Sequence, residues 1–187
     1  MIILNSLGTV VLYTKRCKLR RFELNDTYNV FNNYSSLKEV TYYLTNPAHK
    51  SIYETEYMIY EFIKNYNNLN YYNWIVTELD NNNVIGTISL HEIDLFADKA
   101  EIGIIISPYY QNKGYAKEVI FKIIDFAFNY LNIYRLEAKI FSNNIASNKT
   151  FKSLNYNYEG ILHSVVKKEN KFYDVKLYYL LNEYYKF

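Results

Sequence analysis

A short polar loop, Gln111-Asn112-Lys113-Gly114-Tyr115-Ala116, stands between an apolar run and an amphipathic segment. Its glycine suits a backbone that needs a positive φ, or one that must approach a ligand without a Cβ in the way. A loop of this kind at the start of a helix presents backbone N–H groups beside the positive end of the helix dipole, where phosphate binds. The alternative is that Gly114 is only a loop residue ahead of a helix, because a single glycine is a weak motif.

Two elements must hold this loop in place. Glu101–Ser107 is a short, β-branched apolar run that ends at Pro108, which is typical of a buried strand. After the loop, apolar residues recur at the spacing of an amphipathic helix with one buried face, which predicts a helix over 116–131. The apolar positions are Val119, Ile120, Ile123, Ile124, Ala127, Phe128 and Leu131. Strand, glycine-bearing turn and helix N-terminus together predict an anion site.

The pattern P-x-x-Q-x-x-G-x-A, which runs from Pro108 to Ala116, resembles the acyl-CoA pyrophosphate loop of the GNAT acetyltransferases. The flanking sequences EIG and KGYAKE resemble the RimJ/RimL branch, whose members acetylate amino groups. The resemblance implies that the loop residues 111–116 bind the diphosphate of acetyl-CoA. It also implies that the strand before the loop and the strand after the long helix splay apart. Ile104 and Ile106 would then hydrogen-bond the pantetheine arm through their backbone.

A second polar signature, Asn144-Ile145-Ala146-Ser147, opens a helix predicted over about 145–154. It resembles the N-x-x-S of RimJ/RimL proteins, which implies that Asn144 contacts the pantetheine arm and Ser147 faces the CoA sulfur. Acyl transfer from a thioester expels a thiolate, which a nearby hydroxyl can stabilise or protonate. The alternative is ordinary helix capping, since Asn and Ser are favoured there. Many other GNAT branches place a tyrosine acid where this chain has Phe151, which leaves Ser147, another tyrosine or water as the acid.

Glu101 lies in the apolar strand ahead of the loop. The RimJ/RimL branch often carries a glutamate there, so the resemblance implies a general base on the acceptor side. An attacking amine is protonated at neutral pH and must lose a proton, which a carboxylate accepts directly or through a water. The alternative is a surface glutamate at the edge of the sheet, because strand facing is not fixed by sequence. No Ser-His-Asp order or nucleophilic cysteine is supported, so direct attack on the thioester is preferred to an acyl-enzyme.

The composition is that of a globular protein. A chain of 187 residues, half of them apolar, predicts one domain over 1–187. A net charge of +2 is too small to indicate a nucleic-acid or membrane partner. The one cysteine, Cys17, cannot form an internal disulfide, and His49, His91 and His163 are too scattered in sequence to indicate a metal site. We expect a soluble, cytoplasmic protein without a metal, and the family resemblance is compatible with a homodimer.

Along the whole chain, the predicted elements follow the order strand, helices, three strands, helix, strand, helix, two strands, which is the GNAT order. We expect an α/β fold with helices on both faces of a mixed sheet, mostly antiparallel as in that family. Thr14–Phe22 reads as a basic edge strand, in which Arg20 and Arg21 are either solvated or part of a binding site. His49 is expected in an exposed loop, and the wall of the acceptor cleft is its alternative place.

These motifs predict an N-acetyltransferase that moves an acetyl group from acetyl-CoA to a primary amine. A protein N-terminus, a polyamine or a small amine could each be the acceptor. The alternative is a non-catalytic GNAT-fold module that binds CoA or a partner. Phe151 keeps this alternative open, as does the sequence 152–156, K-S-L-N-Y, where the family usually has E-K-L-G-F. Nucleic-acid binding through the basic N-terminal strand is disfavoured by the near-neutral charge, because such binding depends on phosphate neutralisation.

Overall fold

The computed structural model describes residues 7–184, and it has eight strands in one sheet with helices packed on both faces. The strands are β1 (Leu12–Tyr13), β2 (Cys17–Arg20), β3 (Tyr72–Glu78), β4 (Val84–Asp94), β5 (Lys99–Ile106), β6 (Arg135–Phe141), β7 (Asn157–Lys168) and β8 (Lys171–Leu181). The helices are α1 (Thr27–Val30), α2 (Lys38–Thr41), α3 (Ile52–Asn65), α4 (Tyr115–Asn129) and α5 (Ile145–Lys152). The ends of the predicted 1–187 domain, 1–6 and 185–187, lie outside the described residues.

The strands lie in the order β1-β2-β3-β4-β5-β6-β8-β7. Within the described residues, every neighbouring pair is antiparallel except β5 and β6, which run parallel. The parallel pair needs a crossover, and the loop that ends in Gly114 and helix α4 supply it. The predicted mixed, mostly antiparallel sheet is therefore confirmed.

Alternation along β3 shows how the two faces are covered. Trp74 and Val76 pack in the core that includes α4, whereas Ile75 between them packs in the core that includes α3. This is the period-two pattern of a strand that is buried on both faces. In α4 the predicted apolar face is buried, and Val119, Ile120, Ile123 and Ile124 are fully inaccessible to solvent.

The sheet opens between β5 and β6. The two strands pair only at Lys99–Arg135, Ala100–Leu136 and Glu101–Glu137. Beyond Glu101, β5 continues along β4 as far as Ile106, and β6 continues along β8 as far as Phe141. A wedge therefore forms directly after Glu101, as expected for the GNAT order.

The first part of the chain differs from the expectation of a basic edge strand. Strand β2 pairs with β1 on one side and β3 on the other, so it is not the edge of the sheet. Arg20 is not simply solvated, because its guanidinium donates two hydrogen bonds, of 2.8 and 2.7 Å, to the carboxylate of the buried Asp26. A charge-assisted bidentate pair of this kind indicates that Arg20 holds the chain after β2 in place.

Candidate active site

The loop between β5 and α4 has the backbone geometry that its glycine predicts. Gly114 occupies the residue before α4 with φ +84° and ψ −5°, in the left-handed region. Asn112 also has a positive φ, of 58°, which asparagine tolerates better than most residues. Within residues 7–184 no side chain caps the start of α4, so its first-turn N–H groups face the loop without a capping oxygen.

Arg16 lies beside this loop, and sequence reasoning did not single it out. Its Nη1 donates to the backbone oxygen of Lys113 at 3.0 Å, and its Nε donates to Oε2 of Glu118 at 2.7 Å. The guanidinium stands 4.1 Å from the ring centroid of Tyr115. The one available signal was a basic segment, TKRCKLRR, with nothing to say which of its cations would reach the loop.

The side chain of Gln111 ties the loop to the end of β5. Its Nε2 donates to the carbonyl oxygen of Ile106 at 2.9 Å. The resemblance assigns the backbone of Ile106 to the pantetheine arm, and its carbonyl oxygen thus already accepts one hydrogen bond, although a carbonyl can accept two. Tyr115 is anchored in a similar way, because its hydroxyl donates to Glu78 at 2.6 Å, which raises the pKa of Tyr115 to about 12.

A cavity of about 750 Å³, here named the loop cavity, lies between this loop, β5 and α5. It gathers most of the predicted cofactor-binding residues: Ile104, Ile106, Gln111, Asn112, Gly114, Tyr115, Ala116 and Asn144. Lys113 is not among its lining residues, and its Nζ instead donates to the backbone oxygen of Tyr109 at 2.8 Å. The volume is within the range of small-molecule and cofactor sites.

Asn144 and Ser147 begin helix α5 at the mouth of the wedge. The Oδ1 atom of Asn144 accepts a hydrogen bond from the backbone N of Ser147 at 3.1 Å, so Asn144 does cap the helix. Ser147 lines the loop cavity and also a second cavity of about 670 Å³, here named the Glu101 cavity. Phe151 lies one turn further along, is 3% exposed and packs edge-on against Tyr156.

Glu101 lies inside the sheet, so the alternative of a surface glutamate at its edge is wrong. Only 8% of the residue is exposed, and its strand lies between β4 and β6. Its Oε1 lies 3.3 Å from Nε2 of His91, and its Oε2 lies 2.6 Å from Nζ of Lys139. Burial alone would raise the pKa of Glu101, but hydrogen bonds from His91 and Lys139 outweigh it, and the pKa of Glu101 is lowered.

His91 and Lys139 reach Glu101 through the pairing of the strands. His91 on β4 stands directly opposite Glu101 on β5. On β6, Glu137 stands opposite Glu101, and Lys139 follows two residues later on the same face. The hydrogen bond to Glu101 raises the pKa of Lys139. The three side chains form an ionic cluster on one wall of the Glu101 cavity.

A third cavity, of about 620 Å³, lies between the helical layer and strands β3 to β5, and is here named the helical-layer cavity. It shares Leu44, His91, Glu92, Gly103 and Ile104 with the Glu101 cavity. The Glu101 cavity in turn shares Ile104, Asn144, Ser147 and Phe151 with the loop cavity. The three cavities are therefore neighbours, in an order that runs from the glycine-bearing loop, past Ser147 and Glu101, to the helical layer.

The match to known proteins agrees with this geometry. Residues 16–157 match the family model described as an acetyltransferase (GNAT) domain, which is more than half of the chain. The chain belongs to the GNAT acetyltransferase family. As a GNAT enzyme it is an acetyl-CoA-dependent N-acetyltransferase, and acetyl-CoA is its co-substrate.

Two GNAT relatives align along most of their length. An uncharacterised N-acetyltransferase, p20, from Bacillus licheniformis is 35% identical over 177 residues, covering 93% of this chain and 97% of the relative. The spermidine N(1)-acetyltransferase of Vibrio cholerae is 27% identical over 167 residues, covering 89% and 94%.

Solved GNAT structures have the same fold. An acetyltransferase from Bacillus anthracis superposes with a TM-score of 0.82 at 24% identity, covering 93% of this chain and 99% of that one. Spermidine N-acetyltransferase from Vibrio cholerae, in complex with CoA and spermine, gives 0.76 at 25% identity, covering 89% and 96%. A ribosomal-protein-S5-alanine acetyltransferase from Vibrio fischeri gives 0.81 at 18% identity, covering 95% and 99%.

His49 and Arg20, for which the sequence left a role in binding open, do not line any of the three cavities. His49 is half-buried, and its Nδ1 lies 2.7 Å from Oγ1 of Thr55 on α3, so it is not the freely exposed loop residue that was expected. Burial lowers the pKa of His49. Arg20 is held by its hydrogen bonds to Asp26.

Over residues 7–184 there is no group of three or more His, Cys, Asp or Glu side chains that could hold a metal ion, and no helix long and apolar enough to cross a membrane.

Proposed function

We propose that the chain transfers the acetyl group of acetyl-CoA to a primary amine by direct attack, in the manner of the RimJ/RimL branch. The observation that carries this proposal is that Ser147 and Glu101 line the same cavity, where β5 and β6 separate. Ser147 has a hydroxyl for the leaving sulfur, and Glu101 has a carboxylate for the attacking amine. Direct attack needs no nucleophilic side chain, and the buried Cys17, whose pKa is raised by burial, lies in β2 and lines none of the three cavities.

We place the diphosphate of acetyl-CoA on the glycine loop. The backbone around Gly114 and the start of α4 supply N–H donors, and the helix dipole favours the negative charge. The pantetheine arm would then enter the wedge along Ile104, with the thioester next to Ser147. At that position the serine hydroxyl stabilises the thiolate as it leaves, and this interaction is stronger in the transition state than in the ground state.

Amine deprotonation is assigned to Glu101 together with His91. A carboxylate with a lowered pKa holds a proton weakly, so Glu101 paired with Lys139 is a weak base on its own. His91 contacts Glu101 and lines both the Glu101 cavity and the helical-layer cavity, so it faces the space that an acceptor would enter. We propose that the proton leaves the amine through this pair, directly or by way of a water.

The branch and the relatives support an amine as the acceptor. According to their names, the Vibrio cholerae relative acts on spermidine and the Vibrio fischeri neighbour acts on the S5-alanine of a ribosomal protein, and both acceptors present an amine. The EIG and N-x-x-S sequences favour the RimJ/RimL branch for this chain as well. A protein N-terminus, a polyamine and a small amine therefore remain the three kinds of acceptor to compare.

The second candidate is a CoA-binding module without transfer activity. Its supporting observation is Phe151, a buried side chain without a hydroxyl where other GNAT branches place an acid. The test is a reaction of acetyl-CoA with a panel that holds an alanine-initiated peptide, spermidine and 2-phenylethylamine, followed by mass spectrometry of amines and protein. Direct attack predicts an acetylated amine and an unmodified protein. Bound CoA with no acetylated amine would support the module instead.

A further inference from the structure

The helical-layer cavity has a largely apolar wall. Side chains from the helices and from the strands converge on it, and these are Tyr34, Met58, Phe62, Tyr71, Ile93 and Leu95. Tyr34 is only 3% exposed, whereas Leu95 is 43% exposed at the rim. A cavity of about 620 Å³ with such walls can remove the body of a small organic molecule from water. It opens beside His91 and Gly103, next to the ionic cluster of Glu101.

Few side chains that line the helical-layer cavity can carry a charge. Among the residues that line the helical-layer cavity, Glu92 is the one with a carboxylate, and His91 is the one with a side chain that can become cationic. The other polar side chains on the wall are uncharged amides and hydroxyls, those of Asn70, Asn73, Thr87 and Ser89, together with the Tyr34 and Tyr71–Tyr72 phenols. Glu101, which lines the neighbouring Glu101 cavity, is already paired with Lys139 and His91. The wall can therefore match one ammonium group.

A polyamine is a poor match to such a wall. Spermidine carries several ammonium groups along a flexible chain, and each cation that leaves water needs a carboxylate or a comparable acceptor. With Glu92 matched to one ammonium, the residues that line this cavity offer no second carboxylate for the others. A molecule with one ammonium and an apolar body avoids that penalty and gains from burial of the body.

Glu92 is placed by an irregularity in β4. The pairing of β4 with β5 shifts register between His91 and Asp94, and Glu92 has a φ of +50°. A glutamate in the left-handed region is uncommon, and bulges of this kind often re-aim a side chain next to an active site. Here Glu92 lines both the helical-layer cavity and the Glu101 cavity, so an ammonium at Glu92 lies beside the groups assigned to deprotonation.

We infer that the acceptor is a monoamine with an aryl or branched-alkyl body, bound with its ammonium at Glu92 and its body in the helical-layer cavity. This inference rests on the proposed function, because it names the acceptor of the same site. It separates this chain from its spermidine-acetylating relatives by the chemistry of the acceptor wall.

The first experiment measures binding, so that it does not depend on turnover. Calorimetry of the CoA-saturated protein with 2-phenylethylamine, 3-methylbutylamine and spermidine should give about tenfold or more tighter binding for the first two. Kinetics with acetyl-CoA should give the same ranking in kcat/KM. Tighter binding or a higher kcat/KM for spermidine would overturn the inference while leaving the acetyltransferase proposal intact. Absence of turnover with every amine would contradict the proposed function, and the binding ranking would still decide the acceptor class.

Two variants test the residues. Glu92→Gln should weaken binding of 2-phenylethylamine about tenfold or more and leave CoA binding unchanged, whereas Glu56→Gln, an exposed change on α3 outside the cavities, should change neither. Met58→Glu adds a carboxylate to the apolar wall and should shift the preference towards spermidine. Unchanged arylamine binding in Glu92→Gln, or an unchanged ratio of the two amines in folded Met58→Glu, would overturn the inference.

Discussion

The Nζ atom of Lys139 lies 2.6 Å from the Oε2 atom of Glu101, across the point where β5 and β6 part. This ion pair closes the paired end of the wedge, and it ties the proposed catalytic carboxylate to the strand on the other side. With His91 on the remaining oxygen, both oxygens of Glu101 have partners. The carboxylate is thus fixed in position and is held in its ionised form.

The free energy of unfolding should depend on pH through the ionisation of Glu101. The folded-state pKa of Glu101 lies below the ordinary value of 4.5, so its ionised form stabilises the fold above that pH. The stabilisation is lost as the pH falls through the folded-state pKa. Glu101→Gln should therefore be less stable than the wild type by roughly 1–3 kcal/mol at neutral pH, and the difference should shrink in acid. Urea denaturation between about pH 3 and 7 checks this. A difference that stays constant over that range would contradict the lowered pKa.

Substitution of Glu101 should slow acetyl transfer in a pH-dependent way, which a purely structural role would not produce. If Glu101 and His91 remove the proton of the amine, Glu101→Gln should slow the chemical step by roughly 10²–10⁴-fold. The loss should become smaller as pH rises towards the pKa of the acceptor, because free amine then forms without help. His91→Gln should have a similar effect, and the double variant should lose little more than either single one.

A matched histidine–carboxylate pair serves as the control for this prediction. His163 lies 3.0 Å from Asp174 on the β7–β8 hairpin and lines none of the three cavities. His163→Gln should leave the pH profile of the rate unchanged. A small, pH-independent loss in Glu101→Gln would remove Glu101 from proton transfer and leave the acetyltransferase reaction standing.

Cofactor binding should depend on the backbone at Gly114. A side chain there is strained by the φ of +84° and brings a Cβ to 3.4 Å from the Arg16 guanidinium, beside the N–H groups that we propose bind the diphosphate. Gly114→Val should weaken acetyl-CoA binding about tenfold or more, which corresponds to about 1.4 kcal/mol. Gly160→Val is the control, because a Cβ at Gly160 meets no atom within 4 Å. Calorimetry with unchanged affinity in a folded Gly114→Val protein would remove the diphosphate from this loop.

Ser147 should matter for turnover more than for binding. The negative charge on the CoA sulfur develops only along the reaction path, so Ser147→Ala should keep acetyl-CoA affinity and lower kcat, by about tenfold or more. Ser51→Ala, at the start of α3 where no side-chain cap forms, should change neither quantity. Should Ser147→Ala lose affinity but keep kcat, Ser147 would be assigned to helix α5 and the shape of the cavity instead.

Local sequence patterns predicted the elements well, because each depends on near neighbours. The helix expected over 116–131 spans Tyr115–Asn129 in the structure, and the helix expected over about 145–154 spans Ile145–Lys152. Gly114 has the positive φ that its loop requires. These features follow from periodicity and from the conformational freedom of glycine.

The ionic cluster could not be predicted in the same way. His91 and Lys139 reach Glu101 only because β4, β5 and β6 pair in one register, and a shift of one residue would turn each side chain to the other face. Arg16 reaches the glycine loop through the same long-range packing. The residues of the proposed CoA site thus follow largely from local motifs, whereas the arrangement on the proposed acceptor side depends on the tertiary structure.

The release of free CoA thiol by the wild-type protein, with and without an amine, tests the central claim most directly. Transfer at the wedge between β5 and β6 predicts that an amine accelerates thiol release strongly, and that the acetylated amine forms in equal amount. Acetyl-CoA binding without amine-dependent thiol release, for every primary amine tested, would contradict transfer and leave a CoA-binding module.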